Sequence, residues 1–157
     1  DEHRIAFNVS HTGDEGLLAL TSDGILGVDL ERIRPEIDVL RLARRVFSSS
    51  EQAQFSTIHE ERLRPSFFHV WTCKEAFLKA HGGGLTVPLT SFDVEVDPDR
   101  GARLLDTRLP GDERGNWQLK TIDVEEGLRA AVAWSGSEPL RQISNFRLED
   151  SPFPSRR

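Results

Sequence analysis

From Ser66 to His81 the chain reads SFFHVWTCKEAFLKAH, and three glycines follow at once. Nothing in that run breaks a helix, Ser66 is a good N-cap, and glycine accepts the left-handed dihedrals on which helices end. The sequence therefore predicts a helix capped by Ser66 and stopped at residues 82–84. Its apolar residues Phe67, Val70, Trp71, Phe77 and Leu78 cover more than one face, so it must be packed on several sides. A packed helix seldom carries charge without a partner, yet this one carries Lys74, Glu75 and Lys79. Thr72, Glu75 and Lys79 fall on one stripe. The i, i+4 spacing of Glu75 and Lys79 is worth only ~0.2–0.5 kcal/mol on an exposed surface, where such a pair is ordinary decoration.

Residues 5–11 (IAFNVSH) and 17–21 (LLALT) are β-compatible and TGDEG lies between them, which predicts a hairpin. A third strand, residues 25–31 (ILGVDLE), ends ahead of Arg34 and Pro35. Asp38 can cap a helix whose apolar residues Val39, Leu42, Ala43, Val46 and Phe47 recur at three- and four-residue spacing. Ser48 and Glu51 have capping-box spacing, predicting a second, short helix through Phe55. HEERLRP then reads as a charged link. From Pro88 the segments SFDVEV, ARLLD, WQLKTIDV and LRAAVAW alternate with DPDRG, PGDERGN and EEG, which predicts three or four antiparallel strands. Residues 141–157, with Pro152 and Pro154, read as a loosely attached tail. These elements make an α+β fold, an antiparallel sheet packed with helices.

The 157 residues, 37% of them hydrophobic, suffice for one domain with a core and are too few for two independent ones. A net charge of -6 argues against a general nucleic-acid surface, so any phosphate site must be local. No apolar run approaches the roughly 18 residues that would span a membrane, and the first residues lack the layout of a signal peptide. A cytoplasmic protein is the expectation. One cysteine, Cys73, rules out an internal disulfide and a cysteine-cluster metal site, and suits a reducing compartment. With no methionine and a strand only a few residues from Asp1, the sequence is expected to be a piece of a longer protein.

Asp29 and Glu31 stand two apart on a predicted strand, so both point to one face while Val28 and Leu30 point to the other. Two such carboxylates can hold a hard divalent cation, magnesium before zinc. A solvated strand edge accounts for the same pattern. Ser10 and His11 are neighbours on a strand and face opposite ways, which argues against a nucleophile and base pair; the histidine could donate to a phosphate or be structural. Cys73, mid-helix among apolar residues, packs rather than reacts. The glycines at 82–84 follow a helix, whereas a phosphate-cradling loop precedes one, so they make no P-loop. Asp29, Glu31 and Glu75 with nearby lysines have the make-up of a magnesium site for phosphate-ester or pyrophosphate chemistry.

FNVSHT at 7–12, GVDLE at 27–31 and WTCKEAFLKAHGGGL at 71–85, in that order, closely resemble the signature motifs of the surfactin-type 4'-phosphopantetheinyl transferases. The likeness in layout runs from about Ala6 to Trp134. Thr12 in place of a common serine, and His81 with a third glycine in the turn after the helix, are modest departures. The resemblance implies transfer of phosphopantetheine from coenzyme A to a serine of an acyl or peptidyl carrier protein. It implies Asp29, Glu31 and Glu75 as ligands of Mg2+ on the coenzyme A pyrophosphate, and Glu75 also as the base for the carrier serine. Lys79 would offset charge as the bond breaks, Ser10 and His11 would contact the nucleotide phosphates, and Lys74 would project with Glu75 and Lys79 toward the coenzyme cleft.

Because Ser10-His11 precedes Gly27-Val28-Asp29, the motif order resembles the larger, monomeric members built of two similar halves. By that likeness residues 1–21 finish the first half and residues 22–140 form the second, most of the first half being absent. The carrier is expected to dock beside residues 35–55, which offer Arg41, Arg44 and Arg45 to an acidic helix. Two other readings stay open at this point: a magnesium-dependent phosphohydrolase using the same carboxylates, and a non-catalytic, carrier-binding half.

Overall fold

The computed structural model describes residues 5–110 and 117–137. The expected hairpin is present as β1 (Ala6–Thr12) and β2 (Glu15–Thr21), paired from Ala6 opposite Thr21 to Thr12 opposite Glu15. Its two-residue turn starts with Gly13 at φ 58°, the geometry that matches the twist of the flanking strands. β3 (Ile25–Arg32) follows as expected, then α1 (Val39–Val46), capped by the Asp38 side chain on the Arg41 N–H. α2 (Ser49–Phe55) opens with the capping box foreseen from Ser48 and Glu51.

The long helix, α3 (Glu60–His81), has its N-cap at His59, seven residues earlier than the Ser66 cap the sequence suggested. Ser66 is no cap: it lies buried inside the helix, and its hydroxyl has no hydrogen-bond partner among the described residues. The charged stretch before it is helical because its side chains find partners. Arg62 pairs with Asp97 and Asp99, Arg64 donates to the carbonyls of Arg34 and Ile37, and Leu63 packs on the core. Glu60 and Glu61 in the first turn suit the positive end of the helix dipole, and these gains outweigh the backbone bond lost at Pro65. At the other end Gly82, at φ 78°, closes the helix as expected, its N–H returning to the Leu78 carbonyl.

All four strands read after Pro88 are present as β4 (Phe92–Val94), β5 (Leu104–Thr107), β6 (Gln118–Thr121) and β7 (Leu128–Ser135). They do not join one sheet. Among the described residues β4 pairs only with β5, while β7 lies between β3 and β6 in a three-stranded antiparallel sheet. Part of the PGDERGN turn and the tail at 141–157 lie outside the described residues. No described helix is long and apolar enough to cross a membrane.

The central sheet has two different faces. Val28, Leu30, Leu128, Ala130, Val132 and Ile122 form a small core with Leu17 and Ala19 of β2. The opposite face carries Ala131 and Ala133, which join α3 in the larger core with Phe47, Phe55, Phe67, Phe77 and Phe92. The β1–β2 ribbon is thus seated by its inner face, while Phe7, Val9, Leu18 and Leu20 on its outer face are exposed.

Lys74 is 0% exposed and lies inside the larger core, where its ammonium meets Glu51 Oε2 at 2.9 Å and donates to the carbonyls of Leu89 (2.6 Å) and Phe92 (2.7 Å). The expectation that Lys74 reaches a coenzyme cleft is therefore corrected: its three N–H bonds are all used internally, tying α3 to α2 and to the start of β4. Burial pulls the Lys74 pKa down and pushes that of Glu51 up, and the attraction between them opposes both. Glu51 also accepts from the N–H groups of Ser48 and Val94. Breaking a buried pair by removing one member typically costs about 3–5 kcal/mol, because a charge is left alone. Lys74→Met should accordingly lower the unfolding free energy by about that amount in urea titrations, and adding Glu51→Gln should recover part of it. A loss within experimental error for the single variant would show that the pair holds nothing together.

Candidate active site

β3 and α3 touch at the backbone. A Cβ placed on Gly27 would collide with the Ala76 carbonyl oxygen and the Ala80 nitrogen, so only glycine allows this approach. Opposite it in the sheet stands Ala133 and, two pairs along on the same face, Ala131 opposite Asp29. Small residues on this face let the helix lie against the strand, and Asp29 and Glu31 then meet its side chains directly.

The helix meets them with one residue per turn. From Trp71 to Lys79 only Trp71, Glu75 and Lys79 are partly exposed, and every residue between them is buried. Trp71 Nε1 donates to Glu31 Oε1 at 3.2 Å. Lys79 Nζ donates to Asp29 Oδ1 at 2.8 Å, to the Val28 carbonyl at 3.0 Å and to Ser10 Oγ at 3.1 Å. Ser10, from β1, donates to Asp29 Oδ1 at 3.1 Å and accepts the Leu30 N–H at 3.0 Å. Thr72, expected on this stripe, is buried and turns its hydroxyl back onto the carbonyls of Phe68 and His69.

Of the residues singled out from sequence, the structure brings together Ser10, Asp29, Glu31, Glu75 and Lys79. It does not bring Lys74, and His11 is exposed on the strand face opposite to Ser10. Two participants escaped the sequence reading. Trp71 looked like core packing, and its indole N–H was the overlooked signal; Asn8, whose Oδ1 accepts the Val28 N–H at 3.0 Å, carried no signal beyond its place in the FNVSHT stretch.

The carboxylates repel one another. Burial pushes the Glu75 carboxyl above its usual range, and the charge of Asp29 and then of Glu31 adds to this against the pull of Lys79. Glu31 is likewise raised, by burial first and Asp29 next, with the Trp71 bond opposing. Asp29 is 4% exposed, and its Oδ2 has no hydrogen-bond partner among the described residues. A buried carboxylate oxygen left without a donor, flanked by two further acids, fits a hard divalent cation. Among the described residues no three Asp, Glu, His or Cys side chains stand in a metal-holding arrangement. The three acids are adjacent without converging, and Lys79 serves as their counter-charge.

Residues 25–133, from the first residue of β3 into β7, match the 4'-phosphopantetheinyl transferase superfamily. The chain belongs to that superfamily. The 4'-phosphopantetheinyl transferase Sfp of Bacillus subtilis (strain 168) is 34% identical over 126 residues, covering 80% of this chain and 53% of its own length. The 4'-phosphopantetheinyl transferase psf-1 of Bacillus pumilus is 40% identical over 126 residues, covering 80% of this chain and 51% of its own. A holo-(acyl-carrier-protein) synthase from Bacillus anthracis str. Ames, solved in complex with CoA (3',5'-ADP), superposes with a TM-score of 0.58 at 21% identity, over 74% of this chain and 98% of that one. That likeness is one of fold, and it bears out the α+β architecture of a phosphopantetheinyl transferase. The chain spans about half the length of the two Bacillus transferases. Asp29, Glu31, Glu75 and Lys79 lie within the matched span, and Ser10 precedes it.

Gly27→Ala tests the seating of α3. Overpacking of this kind costs about 1–3 kcal/mol, and the strand must move away from the helix that supplies Lys79. The variant should unfold at lower urea, its unfolding free energy reduced by an amount in that range. Unchanged stability would mean that the backbone approach does not hold the two elements.

Proposed function

We propose that the protein transfers the 4'-phosphopantetheine group of coenzyme A to a serine hydroxyl of an acyl or peptidyl carrier protein. The observation that carries this reading is the unpartnered Asp29 Oδ2 beside Glu31 and Glu75, with Lys79 held against the same carboxylate. In this reading Asp29, Glu31 and Glu75 hold Mg2+, which when bound neutralises charge on the coenzyme's pyrophosphate. Lys79, half-buried and fixed by three acceptors, supplies a positive charge that needs no reorganisation as the leaving group forms. Ser10 holds Asp29 and Lys79 in place at the edge of the phosphate site, and His11, exposed on the outer face of β1, attends the nucleotide phosphates from outside the carboxylate cluster.

Glu75 takes the proton of the carrier serine, directly or through a water. The ribbon β1–β2 is read as the end of a preceding half and residues 22–140 as the second; the exposed Phe7, Val9, Leu18 and Leu20 support this. The carrier docks along α1, where Arg41, Arg44 and Arg45 are exposed beside Leu40. The full-length protein works as a monomer in the cytoplasm.

The direct assay incubates the protein with coenzyme A, Mg2+ and a panel of apo-carriers and looks for the mass increment of the phosphopantetheine arm. Failure with every carrier would remove the reading. Asp29→Ala and Glu31→Ala should each abolish Mg2+-dependent transfer.

Glu75→Gln separates base from ligand. Loss of a general base typically lowers kcat about 10²–10⁴-fold, and raising Mg2+ should not restore it, whereas full rescue by Mg2+ would leave Glu75 a ligand only. The same variant has a predictable effect on stability. A carboxyl whose pKa is raised by folding binds its proton more tightly in the folded state, so stability falls as pH rises from the ordinary carboxylate range through the raised value. Glu75→Gln removes that penalty, and without Mg2+ it should melt higher than the parent protein at neutral pH and no higher in acid. For the carrier, reversing the charge of Arg44 and Arg45 should raise KM for the carrier and flatten its salt dependence without changing KM for coenzyme A.

A further inference from the structure

β3 lies at one edge of its sheet among the described residues, with β7 on its other side. Along such an edge every second residue turns its N–H and C=O away from the partner strand. On β3 these groups are met by side chains. Asn8 Oδ1 accepts the Val28 N–H at 3.0 Å, Ser10 Oγ accepts the Leu30 N–H at 3.0 Å, and Lys79 donates to the Val28 carbonyl at 3.0 Å. Asn8 and Ser10 are two apart on β1 and share a face; Val28 and Leu30 are two apart on β3. The two strands are therefore joined by a two-rung ladder in which β1 contributes side chains instead of backbone. Asp29 sits between the rungs.

We infer that Asn8 is a positioning residue for the Asp29 carboxylate. The peptide that carries the Val28 N–H lies one residue before Asp29, and Asn8 grips it as Ser10 grips the Leu30 N–H one residue after. With both neighbours pinned, the strand cannot rotate about its axis at Asp29. Its Oδ1 stays on Lys79 and Ser10, and its Oδ2 stays without a protein partner. Ser10 serves as rung and as direct partner of the carboxylate; Asn8 acts only through the backbone. Polar partners that orient a metal-binding side chain typically change metal affinity about 10–100-fold when removed. One arm of the test below rests on the proposed cation site, and the other does not.

The experiment compares the parent protein with Asn8→Leu, which keeps the size and deletes the acceptor, and with Asn8→Ser. Ser10 shows that a serine hydroxyl on this face of β1 reaches a β3 amide, so Asn8→Ser is the rescue. Three quantities are read: exchange of the Val28 amide proton, the carboxyl carbon signal of Asp29 in aspartate-labelled protein, and Mg2+ affinity by calorimetry without coenzyme. In Asn8→Leu the Val28 amide should exchange faster, the Asp29 signal should move, and the Mg2+ dissociation constant should rise about tenfold or more. Asn8→Ser should return all three toward the parent values. A merely structural joint would speed the Val28 exchange while leaving the Asp29 signal in place, and that result overturns the inference. If the parent protein takes up no Mg2+, the cation reading fails by itself and the Asp29 signal still decides the role of Asn8. Should Asn8→Leu not fold, Asn8→Ala deletes the same acceptor without its bulk.

Discussion

The seating of α3 on β3 at Gly27 is the contact on which the rest of this structure depends. Helices pack on sheets through layers of side chains, and here the layer is missing at one point, so helix backbone and strand backbone come together. The small residues Ala131 and Ala133 on the neighbouring strand extend the flat patch. As a result the side chains of Asp29 and Glu31, one and two steps further along the same face, meet the helix at close range. Lysine and tryptophan on α3 can then reach them with single hydrogen bonds. Without that approach the acids would be a strand edge like any other.

Two lysines on α3 show how narrowly helix geometry divides labour. Lys74 and Lys79 are five residues apart, which at 3.6 residues per turn puts them about 140° apart around the axis. One enters the aromatic core and meets Glu51; the other lies at the sheet edge against Asp29. The first has its charge answered in a dry interior, where removing either partner would strand the other. The second is partly exposed and faces three acids whose charges are only partly answered by protein groups. The helix is thus anchored by one ion pair and presents the other.

The β1–β2 ribbon adds a third element to the same strand. Its inner side carries Asn8 and Ser10 to the edge of β3 and Leu17 and Ala19 to the small core. Satisfying an edge with side chains blocks further pairing there, and it also couples the ribbon to the one strand that bears the acids. Ser10 therefore takes part in the carboxylate cluster even though it lies ahead of the span shared with the superfamily model.

Local chemistry was legible from residues alone wherever the cause was local. Asp38, the Ser48–Glu51 box and Gly82 set helix ends through bonds a few residues long, and all three behave as read. The alternation of β3 fixed that Asp29 and Glu31 share a face, and the motif order pointed to the family. What the sequence could not decide depended on partners far along the chain. The N-cap of α3 moved from Ser66 to His59 because Arg62 and Arg64 find acceptors some 27 to 37 residues away. Lys74 left the site because Glu51 and two carbonyls were waiting in the core, and a lysine beside a glutamate in a motif gives no hint of which side each will face. The strands after Pro88 split between two sheets since pairing, unlike strand propensity, is settled by which edges the packed helix leaves open. Sequence thus determined which residues could do chemistry; only tertiary contacts, by burying some charges against partners and leaving Asp29 Oδ2 without one among the described residues, decided which of them stand together.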